Sequence, residues 1–180
     1  GVVAGQKITA TFCGDASLSS RPMARITNPL AKIGAKITSR DGGLLPVTIR
    51  GTRSLMAAHH CSKIASAQIK SAILLAGLNA RGTTIVSEPS ASRDHTESML
   101  RHFGASISQE VAEYKSHVVK LADGASLRAA EVTVPSDPSS AAFAIVAALI
   151  TPGSDINLRG IGMNPLRIGL IKTLIEMGGN

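Results

Sequence analysis

The chain has 180 residues, 44% of them hydrophobic and 17% charged, which excludes a disordered chain and allows one large domain or two small ones, each with a core. Its formal charge is +7, but the nineteen Lys and Arg are scattered among only three Phe, one Tyr and no Trp. That pattern argues against a base-stacking nucleic-acid surface and for anionic small molecules or an acidic partner.

In chain order, the elements announce themselves through apolar spacing and punctuation. Gly5 reads as the tail of an earlier copy of a unit that recurs along the chain. Arg21-Pro22 to Gly34 reads as an amphipathic helix carrying Met23, Ile26, Leu30 and Ile33, with Ser20 as its cap. Strands are expected at Lys36–Thr38 and Leu45–Ile49. Ser66-Ala67-Gln68 then opens a helix, Ile69 to Leu78, that is apolar nearly all round and should be buried on most faces. A strand is expected at Thr83–Val86, followed by a helix from Asp94 to Gly104 whose Asp94 and Glu97 have capping-box spacing. Strands follow at Val118–Leu121 and Val132–Val134. Pro135-Ser136-Asp137-Pro138 interrupts the chain and marks the best domain boundary, dividing 1–134 from 135–180. Beyond it, Ser139-Ser140 open a second all-apolar helix to Ile150, with Asp137 as its cap. A strand at Ile156–Leu158 and a helix from Asn164-Pro165 to Gly178 complete the series.

The elements repeat. The closing glycines Gly34, Gly104 and Gly178 lie 70 and then 74 residues apart, and Gly82 and Gly153, after the two apolar helices, lie 71 apart. Repeated strand–helix units predict an α/β fold with helices layered on sheets. Both ends fall inside a unit, so the chain reads as a fragment of a longer series. Ala141 to Ile150, the longest apolar run, is too short to span a bilayer, and Gly1-Val2-Val3-Ala4 lacks a signal peptide's basic start. With only Cys13 and Cys61, no disulfide framework exists, which points to the cytoplasm.

Four residues exceed what the repeat requires. Arg21 and Arg93 stand beside helix starts, where a cation is unfavourable for the helix unless an anion is bound there. Arg21 as a solvated surface arginine is an equally good account. Ser66 and Gln68 open the intervening helix with a hydroxyl and an amide, either as a cradle for phosphate and sugar hydroxyls or as an ordinary cap. His59-His60-Cys61 would alternate faces on a strand with no second cluster, so no metal site is expected. Cys13 reads as a small core residue, and Lys70 falls on the side of its helix opposite Gln68, outside the site.

Blocks carrying these residues resemble the enolpyruvyl transferase family, in its 5-enolpyruvylshikimate-3-phosphate (EPSP) synthase branch. They include Gly14-Asp15-Ala16-Ser17-Leu18 to Arg21-Pro22-Met23, Ala65-Ser66-Ala67-Gln68, Leu74-Leu75-Ala76-Gly77-Leu78-Asn79, Glu88-Pro89, Ser92-Arg93-Asp94-His95-Thr96-Glu97 and Asp137-Pro138-Ser139-Ser140. The Ser-Ala-Gln and Arg-Asp-His-Thr-Glu forms are similar to the glyphosate-tolerant class II type. The resemblance implies an inside-out α/β barrel of βαβαββ units. Residues 1–134 would form an incomplete shikimate-3-phosphate-binding domain, and 135–180 the crossover and start of the second domain. The implied reaction transfers enolpyruvyl from phosphoenolpyruvate to the 5-hydroxyl of shikimate-3-phosphate by addition–elimination, in aromatic amino acid biosynthesis, with no cofactor or metal. Arg21 would hold phosphoenolpyruvate, while Ser66, Ala67, Gln68 and Arg93 would hold shikimate-3-phosphate. Glyphosate would be an inhibitor, and the full-length protein a monomer engaging neither nucleic acid nor membrane. The family's acid and base groups have no counterpart here, so no catalytic residue is assigned and this chain alone is expected to turn over poorly. Two alternatives remain: a UDP-N-acetylglucosamine enolpyruvyl transferase fragment, disfavoured because neither cysteine sits in a Gly-rich basic loop, and a non-catalytic anion- or RNA-binding module.

Overall fold

A computed structural model describes residues 1–112 and 115–180. Contacts divide the chain into two compact units, Gly1–Ala130 and Glu131–Asn180.

The first unit begins with a 3-10 turn, Val2–Gly5, and then β1 (Thr9–Phe12), α1 (Ala16–Ser19), α2 (Ala24–Lys32), β2 (Lys36–Arg40) and β3 (Leu44–Arg50). It continues with β4 (Leu55–Met56), β5 (His59–Cys61), α3 (Ala67–Gly77), β6 (Ala80–Arg81), β7 (Thr84–Glu88), α4 (His95–His102), β8 (Ile107–Val111) and β9 (His117–Leu121). From β5 to β9, leaving aside the short β6, this is one βαβαββ unit. Its sheet has the order β5-β7-β9-β8, with β5 parallel to β7 and the other pairs antiparallel. The sheet before it, β1-β3-β2, is antiparallel throughout and repeats the β7-β9-β8 part of that order. The repeat therefore exists in space as well as in sequence: α2 and α4 start at Ala24 and His95, 71 residues apart, and β2 and β8 start at Lys36 and Ile107, also 71 apart.

The apolar helix lies at the centre. α3 packs on α2 and the 3-10 turn, and on β4, β6 and β7. Ile73 and Leu74 are 1% and 0% exposed, so the sequence signal of an all-round apolar helix corresponds to burial on most faces. Gly77 allows its close approach to β7, because a Cβ there would stand 2.6 Å from Thr84 Oγ1. Leu30, Leu55, Val86, Leu100 and Leu121 join one continuous core.

Helix ends follow the sequence at one terminus better than the other. Gly34, Gly104 and Gly178 have φ of +117°, +89° and +95°, the left-handed cap expected of them. The expected N-caps of the amphipathic helices are different. Met23, not Ser20, precedes α2, because Asp15 caps a separate short helix, α1, whose C-cap is Ser20. Asp94 takes the cap position of α4 without a side-chain cap hydrogen bond, and Glu97 turns inward rather than back to the chain.

The second unit contains α5 (Pro138–Ile150) and α6 (Gly169–Glu176). Asp137 caps α5 as expected, accepting from Ser140 N at 3.0 Å, and pairs with Arg167 at 2.9 Å. Two expectations fail here. Val132–Val134 and Ile156–Leu158 form no strands; the described residues of this unit contain only an isolated bridge, Ser136 to Ile161. α5 is not buried on most faces, since Ala141 alone is buried and Phe143 is 83% exposed. Both have one cause: apolar strands and helices are stabilised by partner strands and a covering sheet, and the described residues of this unit supply neither.

The hydrogen bond from Ser140 N, followed by the weaker help of Ser139, Ser140 Oγ and Arg167, favours the Asp137 carboxylate and lowers its pKa below the ordinary aspartate value. Its capping contribution is therefore complete above the unfolded pKa and is lost as pH falls through the lower folded value. Carboxyl NMR titration should give Asp137 a midpoint below that of an unstructured aspartate; an ordinary midpoint would show that the cap is not formed.

Candidate functional site

Three helices of the first unit start side by side. Arg25, second residue of α2, donates from Nη2 to Gln68 Oε1, second residue of α3, at 2.7 Å. Ser71 Oγ, on the next turn of α3, lies 2.6 Å from Thr96 Oγ1, second residue of α4. These two cross-links gather the N-termini of α2, α3 and α4 at one end of the unit. Each terminus contributes free N–H groups and the positive end of a helix dipole, so together they favour an anion.

The expected site residues lie around this end. Ser66 is the N-cap of α3, and its Oγ accepts a long hydrogen bond, 3.5 Å, from Ile69 N. Its own N–H is taken by Glu88 Oε1 at 2.7 Å. The intervening N–H groups, those of Ala67 and Gln68, have no hydrogen-bond partner among the described residues. Gln68 is exposed and oriented by Arg25. Arg93 is exposed and directly precedes Asp94, the cap of α4. Arg21 is exposed two residues before Met23, the cap of α2, with Nη2 at 3.5 Å from Ser17 Oγ. The helix starts that carry Ser66, Gln68 and Arg93 are thus joined through side chains, while Arg21 stands on the approach to α2.

Behind the exposed end lies a buried charge cluster that sequence reasoning missed. Lys70 is 3% exposed, and its Nζ lies 3.1 Å from Glu88 Oε2, 2.7 Å from Glu97 Oε1 and 3.2 Å from Ser92 O. Ser92 Oγ donates to Glu88 Oε2 at 2.6 Å. The Glu97 contact is an ion pair lying outside hydrogen-bond geometry, so neither Glu97 oxygen has a hydrogen-bond partner among the described residues. The side of the helix was legible, since Lys70 faces inward and Gln68 outward. One signal was available: a lone lysine inside an otherwise apolar helix implies a buried counter-ion.

Arg25 was also missed. It reads as an ordinary exposed cation, and only the packing of α2 on α3 brings it to Gln68. His59, His60 and Cys61 occupy β5, with His60 half-buried and its neighbours exposed. Burial and, less strongly, Lys32 lower the His60 pKa. Among the described residues, no group of three His, Cys, Asp or Glu could hold a metal ion. Cys13 is exposed rather than in the core, as is Cys61, and both are free thiols.

The comparisons with known proteins point one way. The family described as EPSP synthase (3-phosphoshikimate 1-carboxyvinyltransferase) matches residues 1–180. A 3-phosphoshikimate 1-carboxyvinyltransferase of Granulibacter bethesdensis is 55% identical over 179 residues, covering 99% of this chain and 39% of the relative. That of Methylorubrum populi is 57% identical over 183 residues, covering 100% of this chain and 40% of the relative. The chain therefore spans about two-fifths of the length of the curated relatives it matches. Among solved structures, an EPSP synthase from Acinetobacter baumannii superposes with a TM-score of 0.83 at 46% identity, over 98% of this chain and 39% of that one. The enolpyruvyl transferase NikO from Streptomyces tendae, at 19% identity and TM-score 0.54 over 78% of this chain and 33% of its own, shares the fold.

Proposed function

The chain belongs to the EPSP synthase family, and from that premise we propose that its first unit supplies the shikimate-3-phosphate-binding part of a 3-phosphoshikimate 1-carboxyvinyltransferase. The observation that carries this reading is the gathering of three helix N-termini around Ser66-Ala67-Gln68, held by the Arg25–Gln68 and Ser71–Thr96 contacts.

In this reading the shikimate phosphate sits on α3, receiving the Ser66 hydroxyl and the Ala67 N–H. Gln68, oriented by Arg25, presents its amide to the substrate's polar groups, and Arg93 supplies a cation from the start of α4. Arg21 meets phosphoenolpyruvate, whose charge redistributes as the tetrahedral intermediate forms during addition to the 5-hydroxyl. Elimination of phosphate then leaves the enolpyruvyl ether. Residues 1–134 belong to the shikimate-3-phosphate domain, and residues 135–180 begin the second domain. Glyphosate acts as an inhibitor, and the full-length protein works as a monomer without nucleic acid. Two free, exposed thiols suit a reducing cytoplasm. Among the described residues, no helix is long and apolar enough to cross a membrane.

Isothermal titration of the 180-residue chain with shikimate-3-phosphate, UDP-N-acetylglucosamine and a short RNA tests the proposal. Binding is expected for shikimate-3-phosphate alone. Ser66→Ala and Arg93→Ala should each weaken it about tenfold or more, the loss typical of a charge-assisted hydrogen bond. Binding of RNA with neither small ligand would overturn the reading.

A further inference from the structure

Glu88 occupies a position that the binding reading leaves unexplained. It is 2% exposed at the end of β7, yet both its oxygens are engaged by chain segments that carry expected ligand groups. Oε1 accepts from the Ser66 backbone N–H, and Oε2 accepts from Ser92 Oγ, the residue before Arg93. Lys70 closes the bracket by reaching Glu88 Oε2 and the Ser92 carbonyl together. One carboxylate thereby fixes the start of α3 and the approach to α4.

We infer that Glu88 is a positioning residue for anion binding: it holds Ser66 and the Ser92-Arg93 segment in a single register, so that both close on the same phosphate. The inference rests on the proposed shikimate-3-phosphate site. Its physical basis is preorganisation. The Ser66 N–H is withdrawn into a buried hydrogen bond, which orients the N–H groups of Ala67 and Gln68 outward before ligand arrives, and the ordering cost is met during folding rather than binding. Glu88 lies beneath the helix starts and need not touch the ligand.

The chemistry separates positioning from mere support. In Glu88→Gln the amide oxygen still accepts from Ser66 N–H and the amide nitrogen can donate to Ser92 Oγ, at the cost of facing the Lys70 ammonium, which keeps Glu97 as a neutral pair. In Glu88→Leu, a side chain of similar size, both bonds are lost while the Lys70–Glu97 pair survives. Titration with shikimate-3-phosphate should show Glu88→Gln within about threefold of wild type, and folded Glu88→Leu weaker by about tenfold or more. Amide exchange at Ser66 should accelerate in Glu88→Leu and not in Glu88→Gln. Glu110→Gln, at the exposed pair with Lys120, serves as the neutral control.

A Glu88→Leu protein that melts earlier but binds as tightly as wild type would overturn the inference, leaving Glu88 a structural residue only. If Glu88→Leu does not fold, Ser92→Ala carries the same test by cutting one bond, with weakening of about threefold expected and unchanged affinity decisive against it. Failure of the wild-type chain to bind shikimate-3-phosphate would instead sink the proposed function, a result distinguishable from all of these.

Discussion

Lys70→Met is expected to lower the stability of the Gly1–Ala130 unit by about 3–5 kcal/mol, because it strands Glu88 and Glu97 in the core without their cation. A whole domain typically has about 5–15 kcal/mol to lose, so this one change should shift the urea midpoint far to the left, with little change in slope. Lys120→Met is the matched control. Its partner Glu110 is 51% exposed, and a surface pair of that kind is worth less than about 1 kcal/mol. Equal losses in the two variants would show that the Lys70 cluster is not buried as described. Substituting all three charged residues by apolar residues of similar size should recover much of the loss, since well-packed hydrophobic replacements of a buried ion cluster are tolerated.

The second large effect separates the two apolar helices that sequence reasoning treats alike. Leu74→Ala, at 0% exposure in α3, should cost about 3–5 kcal/mol through lost burial and the cavity left behind. Phe143→Ala, at 83% exposure in α5, should cost less than about 0.5 kcal/mol. Chemical denaturation followed by helix circular dichroism measures both. A Phe143→Ala loss as large as that of Leu74→Ala would mean that α5 is covered in solution.

These two helices also mark how much of the molecule was legible beforehand. Both carry largely apolar sequences with a polar cap, and both fold as helices in nearly the expected bounds, because helix hydrogen bonds are local and capping is read within a few residues. Their burial was not legible in the same way. α3 packs on strands and on α2, whereas the described residues of the unit that holds α5 form no sheet of their own. Strands divide similarly. Lys36–Thr38, Leu45–Ile49 and Val118–Leu121 lie inside β2, β3 and β9, each hydrogen-bonded to a neighbour. Val132–Val134 is at least as rich in β-branched residues and has no ladder, since a strand's hydrogen bonds belong to its partner as much as to itself.

The site shows the same division. Ser66 and Gln68 stood out because a hydroxyl and an amide opened an apolar helix, and Arg21 and Arg93 because cations stood where a helix dipole disfavours them. Arg25 gave no such sign, as nothing in its own segment distinguishes it from a solvated arginine. Glu97 gave a misleading one: it has capping-box spacing from Asp94, yet the pull of a buried ammonium outweighs a surface cap worth about 1 kcal/mol.

The helices, their glycine ends and the polar groups at their starts were legible in the chain alone, because each depends on residues within a turn or two, and their recurrence gave the period. That α2, α3 and α4 begin side by side, and that Lys70 is bracketed by two glutamates 18 and 27 residues further on, emerges in three dimensions alone. Those facts depend on long-range contacts, whose energy comes from burial and from charges paired in a low dielectric, and no local pattern encodes which distant partner will be met.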